Sequence, residues 1–269
     1  MMKDNKPMKL SIITINYNNL EGLKRTYESV VSQTCQDFEW IIIDGGSTDG
    51  SKEFIEEHRD KFAYWCSEPD KGIYNAMNKG ISKAKGEYLN FMNSGDEYAD
   101  ERVIEEFIDT KWEEDVILGD AFFVGEFETE KIHPEEQDLD FDFIRNGGIC
   151  HQAAFIKRVL FTHYGLYDES YKIIADWKFF IEVLMLHGQK YRHWDRKVAR
   201  YDIYGLSSRL ENQKLHIAER IRLYKEYERI YRSLEKRDKR IQELDLPMML
   251  IFKRKLLAKL RRMFPKKSI

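Results

Sequence analysis

Two signatures of nucleotide binding are missing from this 269-residue chain: it has neither a GxGxxG spacing nor a GKS or GKT. A dinucleotide-binding turn and a triphosphate-cradling loop are thereby disfavoured. Cysteine is scarce as well. Cys35, Cys66 and Cys150 are scattered, odd in number and form no CxxC pair, which argues against structural zinc and for a reducing compartment. Long apolar runs are absent, since SIITI near the start is too short for a signal core or for the ~20 residues of a spanning helix. A cytoplasmic protein is expected. Charge of one sign is not in excess either: 44 Lys and Arg face 47 Asp and Glu, a net −3 that gives no general reason to invoke nucleic acid. There is no internal repeat and no low-complexity segment.

What is present is a soluble globular composition, 42% hydrophobic and 13% aromatic, with mean hydropathy −0.60. The length suits one large domain, or a domain of ~200 residues with an appendage. Leu10 to Ile15 is a β-branched, almost continuous apolar run, which predicts a strand covered on both faces. Leu23, Tyr27, Val30 and Val31 recur at helical spacing, and Phe38 to Ile43 reads as a second buried strand, completing a right-handed βαβ unit. The alternation continues through a helix from Lys52, a strand over Phe62 to Cys66, a helix over Asn75 to Ala84 and the strand YLNFM. It predicts an α/β fold with a mostly parallel, Rossmann-like sheet and helices on both faces. Past residue 115 the pattern weakens: Val116 to Val124 reads as a strand pair interrupted at Gly119-Asp120, Glu126 to Asp142 as acidic loop, and Ile174 to Phe180 as the opening of a helix.

In an open sheet of this kind ligands gather beyond the carboxyl ends of the strands. That edge would carry the loops NYNN, DGGSTDGS, SEPDKG and NSGDEY. Gly45 and Gly46 beside Asp44 allow close approach of an extended ligand to the main chain. Asn75, Asn78 and Lys79 lie three and four apart and share a helix face. Asp96 in NSGDEY and Asp176 in ADW are open locally to two readings each, as turn or cap residues or as an ion ligand and a base.

Taken in order, SIITINYN, SQTCQDFEWIIIDGGSTDGS, SEPDKGIYNAMNKGISKAKGEYLNFMNSGDEY, HQAAF and ADWKFF resemble the pattern of glycosyltransferase family 2, over roughly residues 8 to 207. Within it the chain looks most like bacterial enzymes that assemble capsule, exopolysaccharide or lipopolysaccharide units. The resemblance implies a GT-A fold, with a nucleotide-sugar-binding half over 10–115 and an acceptor half over 116–210. A flexible 1–9 would precede the domain and a helical extension over 211–269 would follow it. The implied reaction is inverting transfer of one sugar from a nucleoside-diphosphate sugar, with UDP the expected nucleotide, to a glycan hydroxyl on a polyprenyl-linked acceptor. The QxxRW element of processive members is absent.

The resemblance also distributes roles. Asp176 is the expected base. Tyr17, Asp44, Asp70, Lys71, Asn78 and Asn93 are expected to bind the donor, and His151, Gln152 and Trp177 to lie near the acceptor. The chain departs from the family twice, with Gly45 where many members carry a second acid and Asn93-Ser94-Gly95 where they carry Asp-X-Asp. Asp96 is then the surviving ligand for Mn or Mg, an ion expected to arrive with the donor diphosphate because one carboxylate is a weak site alone.

Leu223, Tyr227, Ile230, Leu234, Arg237, Ile241 and Leu244 form a heptad-like seam. It fits either a helix laid on its own domain or a homodimer through 211–244. From Leu246 to Ile269 there are eight Lys or Arg and no acid, with apolar residues at helical spacing. That suits an amphipathic helix on an anionic membrane face, peripheral to the plasma membrane, or a core-facing helix with a basic outer side. The competing functional readings are a non-catalytic nucleotide- or glycan-binding module of the same fold and a nucleotidyltransferase.

Overall fold

The structure, a computed structural model, describes residues 8–135, 139–140, 143–144, 148–205, 210–230, 232–233 and 236. The expected basic tail and the lower half of the heptad seam lie outside them. The chain divides into two compact units, 1–223 and 224–269. Of the second, residues 224–230 are helical.

Among the described residues the first unit is built on a nine-stranded sheet in the order β3 (Tyr64–Ser67), β2 (Glu39–Asp44), β1 (Leu10–Asn16), β4 (Tyr88–Phe91), β8 (Ala154–Lys157), β6 (Val116–Val124), β9 (Tyr191–Asp202), β5 (Glu97–Tyr98), with β7 (Glu128–Lys131) paired to β6. β1 (Leu10–Asn16), β2 (Glu39–Asp44), β3 (Tyr64–Ser67) and β4 (Tyr88–Phe91) are mutually parallel. α1 (Leu20–Val31), α2 (Ser51–Glu57) and α3 (Ile73–Lys83) connect them, as the alternation predicts. β1, β2 and β4 are buried along their whole length, which is why their sequences run apolar without a polar alternate. The few buried polar groups here are spoken for. Glu39 accepts from Ser11 Oγ and from the backbone N–H groups of Lys85 and Gly86, so a carboxylate inside the sheet fixes the entry to β4.

After α4 (Val103–Asp109) the sheet turns mixed: β8 (Ala154–Lys157) is antiparallel to both β4 and β6 (Val116–Val124), and β9 (Tyr191–Asp202) runs parallel to β6 and antiparallel to β5 (Glu97–Tyr98). Two expectations change here. Val116–Val124 is one strand, whose register shifts at Gly119/Asp120 instead of breaking there, because a bulge absorbs the irregularity. The acidic stretch contains β7 (Glu128–Lys131), an exposed partner for β6 with no apolar face to announce it. Phe107 of α4 stacks on Phe155 of β8 at 3.8 Å between centroids, tying the two halves into one core. Truncating it to Ala would cost about 3–5 kcal/mol.

α5 (Arg158–Tyr164) follows β8, and α6 (Ala175–Phe180) continues as a π-turn over Ile181–Leu186. The compact unit runs past the expected boundary at 210 to Leu223. The reason is Glu219, a buried carboxylate that accepts from the backbone N–H of Lys172 at 2.6 Å and of Ile173 at 2.9 Å, just ahead of α6.

Candidate functional site

The parallel topology brings the ends of β1, β2 and β4 to one edge, and β8 delivers the segment before it to the same place. On the β2 side Asp44 is fully buried and saturated. Its carboxylate accepts from Asn16 Nδ2, from the Ser47 hydroxyl and N–H, from the Gly46 N–H and from the Ser67 hydroxyl. It shapes the Gly45-Gly46 turn from beneath and offers no free lone pair to a ligand. Tyr17, by contrast, is 67% exposed. Its ring and the Asp70 carboxylate both line the space where a Cβ at Gly45 would stand. Asp70 accepts from the Gly72 N–H ahead of α3. Lys71 is exposed beside a shallow pocket that Tyr74, Asn75, Glu169 and Lys172 also line. Asn78 is buried: it donates to Tyr167 O and Glu169 and accepts from the Tyr167 N–H, so it ties the Tyr167–Glu169 segment to α3.

The NSGD turn separates into two networks. Asp96 is 4% exposed; Oδ2 accepts from Gln152 Nε2 at 2.9 Å and Oδ1 from the Asp202 N–H at 3.0 Å. Burial pushes its pKa up to about 7, because the two hydrogen bonds bring no cation to offset the desolvation. The residue expected to face an ion thus faces inward and joins three segments. Gln152, expected near the acceptor, is its partner. The place that an acid at residue 95 would fill lies under Asp202 Oδ2, Asn19 Nδ2 and Arg25 Nη2, at 3.4, 3.5 and 3.7 Å from the position of a Cβ. Arg25 is itself paired with Asp202 at 2.9 Å.

The second network starts at Asn93. Its Nδ2 lies 3.1 Å from His151 Nε2, His151 Nδ1 lies 3.0 Å from Asp176 Oδ2, and Asp176 Oδ1 lies 2.7 Å from the Tyr74 hydroxyl. That hydroxyl is also 2.6 Å from Ile173 O, so one phenolic proton serves two acceptors. Burial first, and the Asp176 charge second, hold the Tyr74 pKa well above its ordinary value, and it stays protonated. Asn93 Oδ1 is buried and has no partner among the described residues. Trp177 packs against Gly148, where a Cβ would overlap the indole at a φ of 64°, with the His216 ring and the Arg220 guanidinium also against it. Arg25, Tyr74, Glu169, Asp202 and Glu219 were not among the expected site residues. Tyr74 stood in the IYNAMNKG stretch and signalled only packing; the others carried no local signal.

Comparison with known proteins places these features in a family. The model described as Glycosyl transferase family 2 matches residues 11–165, more than half of the chain. An uncharacterized glycosyltransferase of Mycobacterium tuberculosis (strain CDC 1551 / Oshkosh) is 33% identical over 184 residues, 66% of this chain and 69% of that protein. A PGL/p-HBAD biosynthesis glycosyltransferase of Mycobacterium bovis (strain BCG / Pasteur 1173P2) is 30% identical over 218 residues, 72% of this chain and 77% of its own length. Among solved structures, S. aureus TarS 1-349 in complex with UDP superposes with a TM-score of 0.61 at 18% identity, over 72% of this chain and 60% of that one. The mannosyltransferase PcManGT from Pyrobaculum calidifontis, solved with GDP-Man and Mn2+, gives 0.57 at 16%, over 81% of this chain and 65% of that one. The fold is the GT-A fold that the sequence pattern implies.

Proposed function

The chain belongs to glycosyl transferase family 2, and from that premise we propose that it transfers one sugar, with inversion, from a UDP-sugar to a hydroxyl of a lipid-linked glycan intermediate in cell-surface polysaccharide synthesis. A relative named for PGL/p-HBAD biosynthesis and a fold neighbour solved with UDP support this direction. The observation that carries it is the hydrogen-bonded chain from Tyr74 through Asp176 and His151 to Asn93, which brings a proton-accepting group from the acceptor half to the donor loop.

Inversion needs one displacement, with a base behind the attacking hydroxyl and the diphosphate leaving on the far side of the anomeric carbon. Tyr17 is free to stack on the base over the Gly45-Gly46 turn, which Asp44 holds rigid. Asp70 and Lys71 border the same turn and the start of α3. Asn93 would serve the donor sugar and Trp177 the acceptor, as the resemblance to the family implies. Transfer of a single sugar follows from the missing processive element.

A divalent ion at the diphosphate is what such GT-A neighbours as PcManGT carry. The residues here do not fit one as a resident. Asp96 has a hydrogen-bond partner on each oxygen, Gly95 replaces the usual acid, and the nearby Asp202 carboxylate is already paired with Arg25. No group of three His, Cys, Asp or Glu suited to a metal occurs among the described residues. The Arg25 guanidinium and the Asn19 amide above Gly95, on giving up Asp202, Glu97 and Ser94 O, would meet the leaving diphosphate instead.

No helix among the described residues is long and apolar enough to cross a membrane. Contact with the membrane would come from the basic 246–265 segment, from the cytoplasmic side, and self-association from 211–244. Incubation with UDP-glucose, UDP-N-acetylglucosamine, UDP-galactose and GDP-mannose, with alkyl glycosides as acceptors, tests the reaction. Glycoside products from a UDP-sugar support it. Binding without turnover would favour a non-catalytic module.

A further inference from the structure

Gly45 is a glycine for lack of room. Its φ lies outside the left-handed region that Gly46 occupies at 82°, so the backbone at residue 45 would accept a side chain. The space would not: a Cβ there would stand 2.7 Å from Asp70 Oδ2 and 3.0 Å from Tyr17 Cδ2. A carboxylate from the loop ahead of α3 thus stands beside the exposed Tyr17 ring, where a side chain of residue 45 would otherwise project. The two oxygens of Asp70 differ. Oδ1 accepts from the Gly72 N–H at 2.8 Å, whereas no group among the described residues donates to Oδ2. The other acids of this corner are engaged. Asp44 is buried and already accepts from Asn16, Gly46, Ser47 and Ser67, and Glu68 is paired with Lys79 at 2.8 Å.

Resting on the nucleotide-sugar reading, we propose that Asp70 Oδ2 selects the donor by its base, accepting from the ring N–H of a base stacked on Tyr17. Uracil carries that hydrogen at N3 and guanine at N1. Cytosine at N3 and adenine at N1 present a lone pair in its place, and an anionic oxygen repels a lone pair. Selectivity is then the difference between one charge-assisted hydrogen bond and one repulsion, set by a side chain that the Gly72 N–H holds in position. Gly45 and Asp70 act as one unit, since the glycine leaves the space that the aspartate fills.

Calorimetric titration with UDP, GDP, CDP and ADP tests this on the unmutated chain, Asp70→Asn, Asp70→Ala and the double variant Gly45→Asp/Asp70→Ala, with Tm as the control for folding. The unmutated chain should bind UDP about 10–100-fold more tightly than CDP, the range for a hydrogen bond to a charged group. GDP binding more tightly than UDP would keep the role of Asp70 and change the donor nucleotide. In Asp70→Asn the amide oxygen can keep the Gly72 N–H while the amide N–H group faces the base. UDP should then weaken and CDP gain, until the two differ by less than about threefold. The double variant returns an acid to residue 45 and should recover the UDP preference that Asp70→Ala loses. A preference for UDP over CDP that survives in Asp70→Asn, or equal binding of the two by the unmutated chain, overturns the inference and leaves the transferase reading to the sugar assay above. UDP selectivity without sugar transfer overturns that reading alone. Binding of no nucleotide overturns both.

Discussion

Asp96 at the end of β4 and Asp176 at the start of α6 are buried to the same degree, 4% and 5% exposed, and their surroundings divide the loop cluster in two. Asp96 is held by an amide side chain and a backbone N–H, neither of which gives up or takes a proton at ordinary pH. Asp176 is held by a phenol and an imidazole. The first arrangement fixes three segments in place; the second has somewhere to send charge. Burial alone therefore says little about what a carboxylate does, and the chemistry of its partners says most of it.

The largest expected effect lies on the α6 side. Asp176→Asn keeps the shape but cannot accept the proton, so kcat should fall about 10²–10⁴-fold, with UDP affinity changed by less than about twofold. Single-turnover rates and calorimetric UDP titration separate the two quantities. A variant turning over at near wild-type rate would erase the distinction between the two aspartates.

On the donor side Tyr17→Ala should weaken UDP binding by about 1–3 kcal/mol, the range for losing an aromatic platform under a base. Asp44→Asn should act through loss of the folded turn, visible as a lower Tm. Equal affinity in Tyr17→Ala would move the base elsewhere.

Asp96 should show itself in stability. Its carboxyl is raised in the fold to about 7, against about 3.9 in an unfolded chain. The folded state then holds the proton more tightly, and the stabilisation present below about pH 4 is lost as pH rises through about 7. Asp96→Asn should flatten that slope, which is at most about 1.4 kcal/mol per pH unit for one proton. Thermal melts of both proteins at pH 4.5, 6 and 7.5 check it. An unchanged slope in the variant would mean that the carboxylate stays ionised. Smallest of all is the expected influence of Mn2+ on UDP binding, less than about twofold in calorimetry. Strong mutual enhancement would restore the ion, and loss of that enhancement in Asp96→Ala would return Asp96 to the ligand role.

Much of this organisation was legible in the residues. The run of β1, the βαβ alternation and the order of the polar loops predicted the parallel sheet and the loops gathered at its edge, and ADW marked a carboxylate that the fold buries beside His151. Partner choice was not legible. Gln152 meets Asp96, and Asn93 meets His151, because β8 runs antiparallel beside β4, a pairing between segments some 60 residues apart that no local pattern encodes. Asp202 and Glu219 arrive from still farther along the chain. β7 escaped notice because its faces are all exposed, and the bulge in β6 read as a break because Gly-Asp is also a turn pair.

The carboxylate of Glu219 has a bearing on where this protein can be cut. A chain ended just after β9 would retain every strand of the sheet and both Asp96 and Asp176, yet the N–H groups of Lys172 and Ile173 would lose their acceptor. Ile173 is also the residue whose carbonyl shares the Tyr74 proton with Asp176. Trimming from the C-terminus must therefore stop before it reaches residue 219, because the segment that looks like an appendage supplies the acceptor for the backbone just ahead of α6.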